Sequence, residues 1–134
     1  MARTEVIAQS TGPATLEEWA KLDLNAPNSH VLRLTRTRRD DDRHPVVVEE
    51  VVLALERFPG LVANGGDVPD IVQLAQRHGL SLGRASERVS LVPATKDVAS
   101  HLQMAPGADV LKLIRIVVTA DGDPVEWRVT FRKV

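Results

Sequence analysis

The sequence predicts an α+β domain: an antiparallel, partly rolled sheet with short flanking helices, built from two related halves. The first observation behind this is an internal repeat. Pro93-Ala94-Thr95 matches Pro13-Ala14-Thr15, and with one single-residue change of offset Leu22 falls on Leu102, Val31-Leu32 on Val110-Leu111, Leu34 on Leu113, Arg36 on Arg115, Asp42 on Asp121 and Pro45-Val46 on Pro124-Val125. Each copy runs through a capped helix, a loop, an apolar strand with one Arg, a polar turn and a second strand opened by Pro-Val, an order that marks a duplication. The second observation is that the apolar segments are strand-length runs bounded by turn residues. The third is that helical patterning is confined to brief capped stretches. These place one domain over residues 1–134, with halves at about 4–60 and 83–134.

A chain of 134 residues, 43% hydrophobic and 26% charged, is long enough for a real core and has the composition of a soluble globular protein. The only aromatic residues are Trp19, Trp127, Phe58 and Phe131, so the core must be mainly aliphatic. The absence of Cys excludes disulfides, thiolate zinc sites and a Cys nucleophile, and it suits a reducing cytoplasm. No apolar run approaches membrane-spanning length and no signal-peptide pattern opens the chain, so a cytoplasmic location without membrane contact is expected. A net charge of −1 offers no domain-wide positive field for nucleic acid.

Along the chain, residues 3–9 read as a short strand broken at Gly12-Pro13. Thr15 and Glu18 form a capping box, with Leu16, Trp19, Ala20 and Leu22 as the expected inner face of the helix that follows. His30 to Arg38 reads as a strand carrying Leu32, Leu34, Arg36 and Arg38 on one face. Asp40 to Arg43 is a polar hairpin turn, and Pro45 to Leu55 returns as a valine-rich strand ended by Phe58-Pro59-Gly60. Asp67 is the expected N-cap of a helix with Pro69 in its first turn, Ile71, Val72, Leu74 and Ala75 as its buried stripe and Gly79 just past its end. Gly83 to Val92 reads as a strand, Thr95 caps a helix with Val98, Ala99 and Leu102 inward, and strands over 110–119 and 124–132 complete the second half.

Arg36 and Arg38 share a strand face with Leu32 and Leu34, so they either emerge into water at the strand end or line a pocket over an apolar floor. Arg115, the duplicate of Arg36, lies in a very apolar strand and needs a carboxylate partner or a ligand. Glu49 and Glu126, read from the residues alone, form an ion pair with a neighbouring Arg such as Arg36 or Arg115. His30, His44, His78 and His101 are scattered without metal-ligand spacing, and there is no nucleophile elbow, Walker loop or dinucleotide fingerprint; no metal or cofactor is expected.

Several segments taken together resemble the UTRA domain, the effector-binding half of bacterial transcription regulators of the HutC branch of the GntR family. They are Val31 to Arg38, Pro45-Val46-Val47-Val48-Glu49, Phe58-Pro59-Gly60-Leu61, His78-Gly79-Leu80, Ala99 to Leu102 and Asp121-Gly122-Asp123-Pro124-Val125-Glu126-Trp127, spanning roughly residues 4 to 131. The resemblance implies the chorismate-lyase-like fold and a sensor whose DNA binding belongs to a winged helix-turn-helix domain, which no segment here matches. It further implies a homodimer and a small-molecule anionic effector. On this resemblance Arg36 and Arg38 point into the effector pocket and hold the anionic group, with Glu49 and Glu126 accepting hydrogen bonds from its polar remainder; Arg115 is the further ligand-binding candidate. Where family members that bind sugar phosphates often carry Ser and Tyr, this chain has Pro69 and Ile71, which points to a less polar or differently shaped anion. Two other classes compete: a chorismate-lyase-type enzyme acting on a small carboxylate, and a free-standing dimerisation module. The Pro-Val-Glu opening of the last strand and the Phe-Pro-Gly-Leu stretch favour the sensor.

Overall fold

The computed structural model describes residues 3–26, 28–61 and 68–134. In chain order the elements are β1 (Arg3–Pro13), α1 (Leu16–Lys21), β2 (His30–Arg39), β3 (Pro45–Ala54), a 3-10 turn (Leu55–Arg57), α2 (Ile71–Arg77), β4 (Leu82–Pro93), α3 (Lys96–Leu102), β5 (Asp109–Thr119) and β6 (Pro124–Lys133). The strands form one antiparallel sheet in the order β1-β2-β3-β6-β5-β4. The strand succession of the first half is therefore repeated outward from the second, and the halves meet at a seam between β3 and β6.

Alternation along the strands divides the core between two faces. On one face Leu32, Leu34, Val51 and Leu53 pack with Phe58 and with Ile71 and Leu74 of α2. On the other, α3 sets Val98, Ala99 and Leu102 against Val110 of its own half and Val48 of β3, while the end of α1 sets Leu22 and Leu24 against Val31 and Trp127 of β6. Each of these helices thus covers a strand of the opposite half, and that exchange locks the seam. As expected from composition, the buried hydrophobic side chains among the described residues are aliphatic apart from Phe58.

The two hairpin turns show the duplication in detail. Asp40 Oδ1 accepts the N–H groups of Asp42 and His44, and at the equivalent place Thr119 Oγ1 accepts the N–H of Asp123. Both turns need a left-handed residue, filled by Arg43 at φ 65° in the first and by Gly122 at φ 92° in the second, where it costs nothing.

Several sequence expectations change. β1 continues through Gly12 and Pro13, which pair with Val31 and His30, because a proline without an N–H is tolerated on an edge strand. Asp70 caps α2 through Gln73 N–H, which puts Pro69 ahead of the cap; Asp67 lies outside the described residues. Ile71, Leu74 and Ala75 are buried but Val72 is exposed. In α1 Leu16 and Trp19 are exposed, and the inward positions are Glu18 and Leu22, one turn apart.

Glu18 faces inward because Arg33 of β2 meets it. Its Oε2 accepts Arg33 Nε at 2.7 Å and its Oε1 accepts Nη2 at 2.6 Å, a bidentate fork, while Oε1 also closes the capping box on Thr15 N–H. Burial pushes the Glu18 carboxyl up, but the hydrogen bonds from Arg33 and Thr15 outweigh it, and the group titrates below the ordinary carboxylate value. A carboxylate held low in the folded state contributes stability above its unfolded pKa and loses it as pH falls through the folded one. Glu18→Gln should therefore cost about 1–2 kcal/mol at neutral pH, discounted for the partial exposure of Arg33. In urea titrations the gap from wild type should close below pH 4.5; a gap that stays constant down to acid pH would refute this role for the charge.

Candidate functional site

On the face that carries α2, the β2–β3 register sets Leu32 against Leu53, Leu34 against Val51 and Arg36 against Glu49. Across the seam the same face continues with Glu126 and Arg128 of β6, opposite Leu53 and Val51, and then with Arg115 and Val117 of β5. The five charged residues form a continuous chain. Arg36 Nη2 lies 3.0 Å from Glu49 Oε1, Arg128 Nη1 lies 3.8 Å from Glu49 Oε2, Arg128 Nη2 donates to Glu126 Oε2 at 3.0 Å, and Arg115 Nη2 donates to Glu126 Oε1 at 3.2 Å. Glu49 and Glu126 are buried, the latter 2% exposed, so each charge depends on its partners rather than on water.

The chain is not fully satisfied. Three guanidinium groups face two carboxylates, leaving one positive charge over. Arg115 and Arg128 stand directly opposite each other across β5 and β6, a like-charge pairing that is unfavourable without the Glu126 carboxylate between them. The Nε atoms of Arg36, Arg115 and Arg128 are buried with no acceptor among the described residues. An unanswered buried donor costs roughly 1–3 kcal/mol.

Beside this chain a cavity of about 350 Å³ opens between α2, β4 and β5; Ile71, Leu82, Ala85 and Val117 supply apolar wall, Arg84, Arg115 and Arg128 supply positive charge, and Asp70 supplies a carboxylate. Gly83, also in the wall, sits at a register shift of β4 where a Cβ would lie 2.7 Å from the Thr119 carbonyl oxygen, so only glycine allows this approach. A second cleft of about 500 Å³ lies at the other end of α2, against Glu56, Arg57, His78 and the β5–β6 turn. It does not reach the ion-pair chain. His78 there bridges elements, with Nδ1 on the Leu74 carbonyl and Nε2 on that of Pro59. Asp40, Asp42 and His44 bring possible ligand atoms together at the exposed β2–β3 turn, but the turn accounts for them, since Asp40 caps its own backbone.

Of the residues singled out in the sequence, the structure brings Arg36, Glu49, Arg115 and Glu126 into one chain. Arg38 stands apart: it is exposed, opposite Val47, and makes no ion pair among the described residues. Arg128 was missed. The repeat held the signal, because Arg128 follows Pro124 by the spacing at which Glu49 follows Pro45.

The family model of the UTRA domain matches residues 1–132. Among solved structures, the chain is similar to the ligand-binding domain of a Bordetella bronchiseptica protein assigned to the GntR family of transcriptional regulators, at 24% identity and TM-score 0.86 over 99% of this chain and 86% of that one. It is also similar to the effector domain of PhnF from Mycobacterium smegmatis, at 20% identity and TM-score 0.86 over 99% of this chain and 81% of that one. Against the longer PhnF structure, at 20% identity and TM-score 0.84, the match covers 98% of this chain and 58% of that one. No curated protein matches at a significant level.

The ion-pair chain makes opposite demands on its members. Glu126→Ala, which strands Arg115 and Arg128 against each other, should destabilise by about 3–5 kcal/mol. Arg38→Ala should stay within about 0.5 kcal/mol of wild type. Equilibrium urea unfolding of both variants checks this, and equal losses would refute the arrangement.

Proposed function

Since the chain belongs to the UTRA domain family, we propose that it is the small-molecule effector-binding domain of a bacterial transcription regulator of the GntR family, HutC branch, acting in the cytoplasm. DNA binding is then the work of a winged helix-turn-helix domain outside this sequence, whose operator affinity the effector modulates. The observation that carries the proposal is a half-open cavity flanked by a cationic ion-pair chain with unanswered donors, a placement suited to recognition of an anion. No nucleophile or metal centre beside the cavity favours the chorismate-lyase-type alternative among the described residues.

In this reading Arg36 and Arg38 engage an anionic group of the effector, Glu49 and Glu126 orient its polar remainder, and Arg115 supports Glu126 from β5. Arg38 is the cleanest probe because it is exposed and lies outside the ion-pair chain. Thermal-shift screening against carboxylates, phosphates and sugars should find anions that stabilise the wild type. Arg38→Ala should melt like wild type when unliganded yet bind such an anion more weakly by roughly 1.5–3 kcal/mol. An effector that stabilises both proteins equally would sink this assignment.

The same reading includes a homodimer. The apolar residues over 46–53 are enclosed by helices on both faces, since β3 is almost wholly buried. Uncovered apolar surface lies instead on β4, where Val89 is 59% and Leu91 is 61% exposed, opposite the half-buried Leu113 and Leu111 of β5. The cluster under α2 takes in Leu82 and Val117 but not Val89 or Leu91 further along β4, so this outer face suits a second copy. Sedimentation should give a dimer for wild type and a monomer for the Val89→Lys/Leu91→Lys double variant; dimers from both would place the contact elsewhere.

A further inference from the structure

We infer that the second half carries its own carboxylate subsite, made by Arg115 and Arg128 at the cavity under α2, and that its occupant is a small monocarboxylate with a compact apolar body. This rests on the sensor reading above and adds to it an anchoring point apart from Arg36 and Arg38.

Arg115 and Arg128 line the cavity, and Arg36 and Arg38 do not. The two guanidinium groups oppose each other across β5 and β6, share the single carboxylate of Glu126, and each keeps a buried Nε–H without an acceptor. An incoming carboxylate meets the charge deficit, because its two oxygens can take Nη donors from both partly exposed groups while its charge separates them. The charge count selects the class. The ion-pair chain holds one positive charge in excess, and the two other charged residues of the cavity wall, Arg84 and Asp70, offset each other. One carboxylate cancels that excess; a phosphate dianion would overshoot, against a Glu126 side chain already 2% exposed. Asp70, the only carboxylate in the described cavity wall, is occupied by the Gln73 N–H. Apart from the exposed Arg84, the rest of the wall offers a ligand body apolar contact from Ile71, Val72, Leu82, Ala85 and Val117.

The subsite also has a route to the first half. Arg128 reaches Glu49 across the seam at 3.8 Å, the longest contact of the chain. A carboxylate that draws Arg128 toward the cavity weakens this contact first and leaves Glu49 to Arg36, so occupancy on one side changes the pairing on the other.

The test uses phenylacetate, its neutral analogue phenylacetamide and inorganic phosphate as probes, read by the NMR signals of the arginine Nε–H groups. Phenylacetate should shift the Arg115 and Arg128 signals, phenylacetamide should not, and Arg128→Lys, which keeps the charge but loses the fork, should weaken phenylacetate binding roughly tenfold or more. Equal shifts with the amide, binding of phosphate in preference to phenylacetate, or unchanged affinity in Arg128→Lys would each overturn the subsite. Shifts confined to Arg36 and Arg38 would overturn it while leaving the sensor reading intact. Silence with all three probes would likewise overturn the subsite, whereas the sensor reading falls only if the broad thermal-shift screen also finds no stabilising molecule.

Discussion

Charge buried at the seam is the constraint around which the molecule is arranged. β3 and β6 are the inner strands, yet Glu49, Glu126 and Arg128 project from them into the interior on one face. A lone buried charge there would be prohibitive, so each must find its counter-ion on a neighbouring strand, and strand register decides which residues can meet. Arg36 answers Glu49 from β2 and Arg115 answers Glu126 from β5, with Arg128 tying the two carboxylates together. A slip of one residue at either outer pairing would turn one partner to the opposite face.

The two halves meet this constraint differently, and the difference lies where the repeat has diverged. In the first half Arg36 faces Glu49 directly and the pair is neutral. At the equivalent place in the second half Arg115 faces Arg128, and neutralisation falls to Glu126, whose counterpart in the first half is the buried Val47. The other face shows a parallel divergence. Arg33 forks onto Glu18, whereas its counterpart Lys112 has Val98 in place of the acid and lies 5.8 Å from the Phe131 ring centre instead. The first half is thus internally balanced, and the second is left with excess cation beside a cavity.

Much of this was legible in the sequence. The repeat gave the succession of elements, and period-two alternation put Leu32, Leu34 and Arg36 on one face. The caps at Thr15 and Thr95 follow from hydroxyls placed ahead of helical patterns. What failed depended on contacts between distant segments. The inner face of α1 is chosen by Arg33 from the next strand, which draws in Glu18 and leaves Leu16 and Trp19 outside. With only six residues, that helix has too few apolar positions to settle its own orientation. Arg128 escaped notice because matches of like residues defined the alignment, and a Glu-to-Arg exchange at equivalent positions reads as noise until the register sets Arg128 beside Glu49 and Glu126. Arg38 fits the alternation but lies past the point where α2 covers the strand, so it remains in water.

A double-mutant cycle between Arg128 and Glu126, using Arg128→Met and Glu126→Gln in urea unfolding, measures the pairing at the centre of this account. Residues joined by a hydrogen bond in a shared buried network should show a coupling of about 1 kcal/mol or more, and binding of a stabilising anion should change that coupling. A coupling near zero, with the two single losses simply adding, would contradict the claim that the seam is held and sensed through this chain of charges.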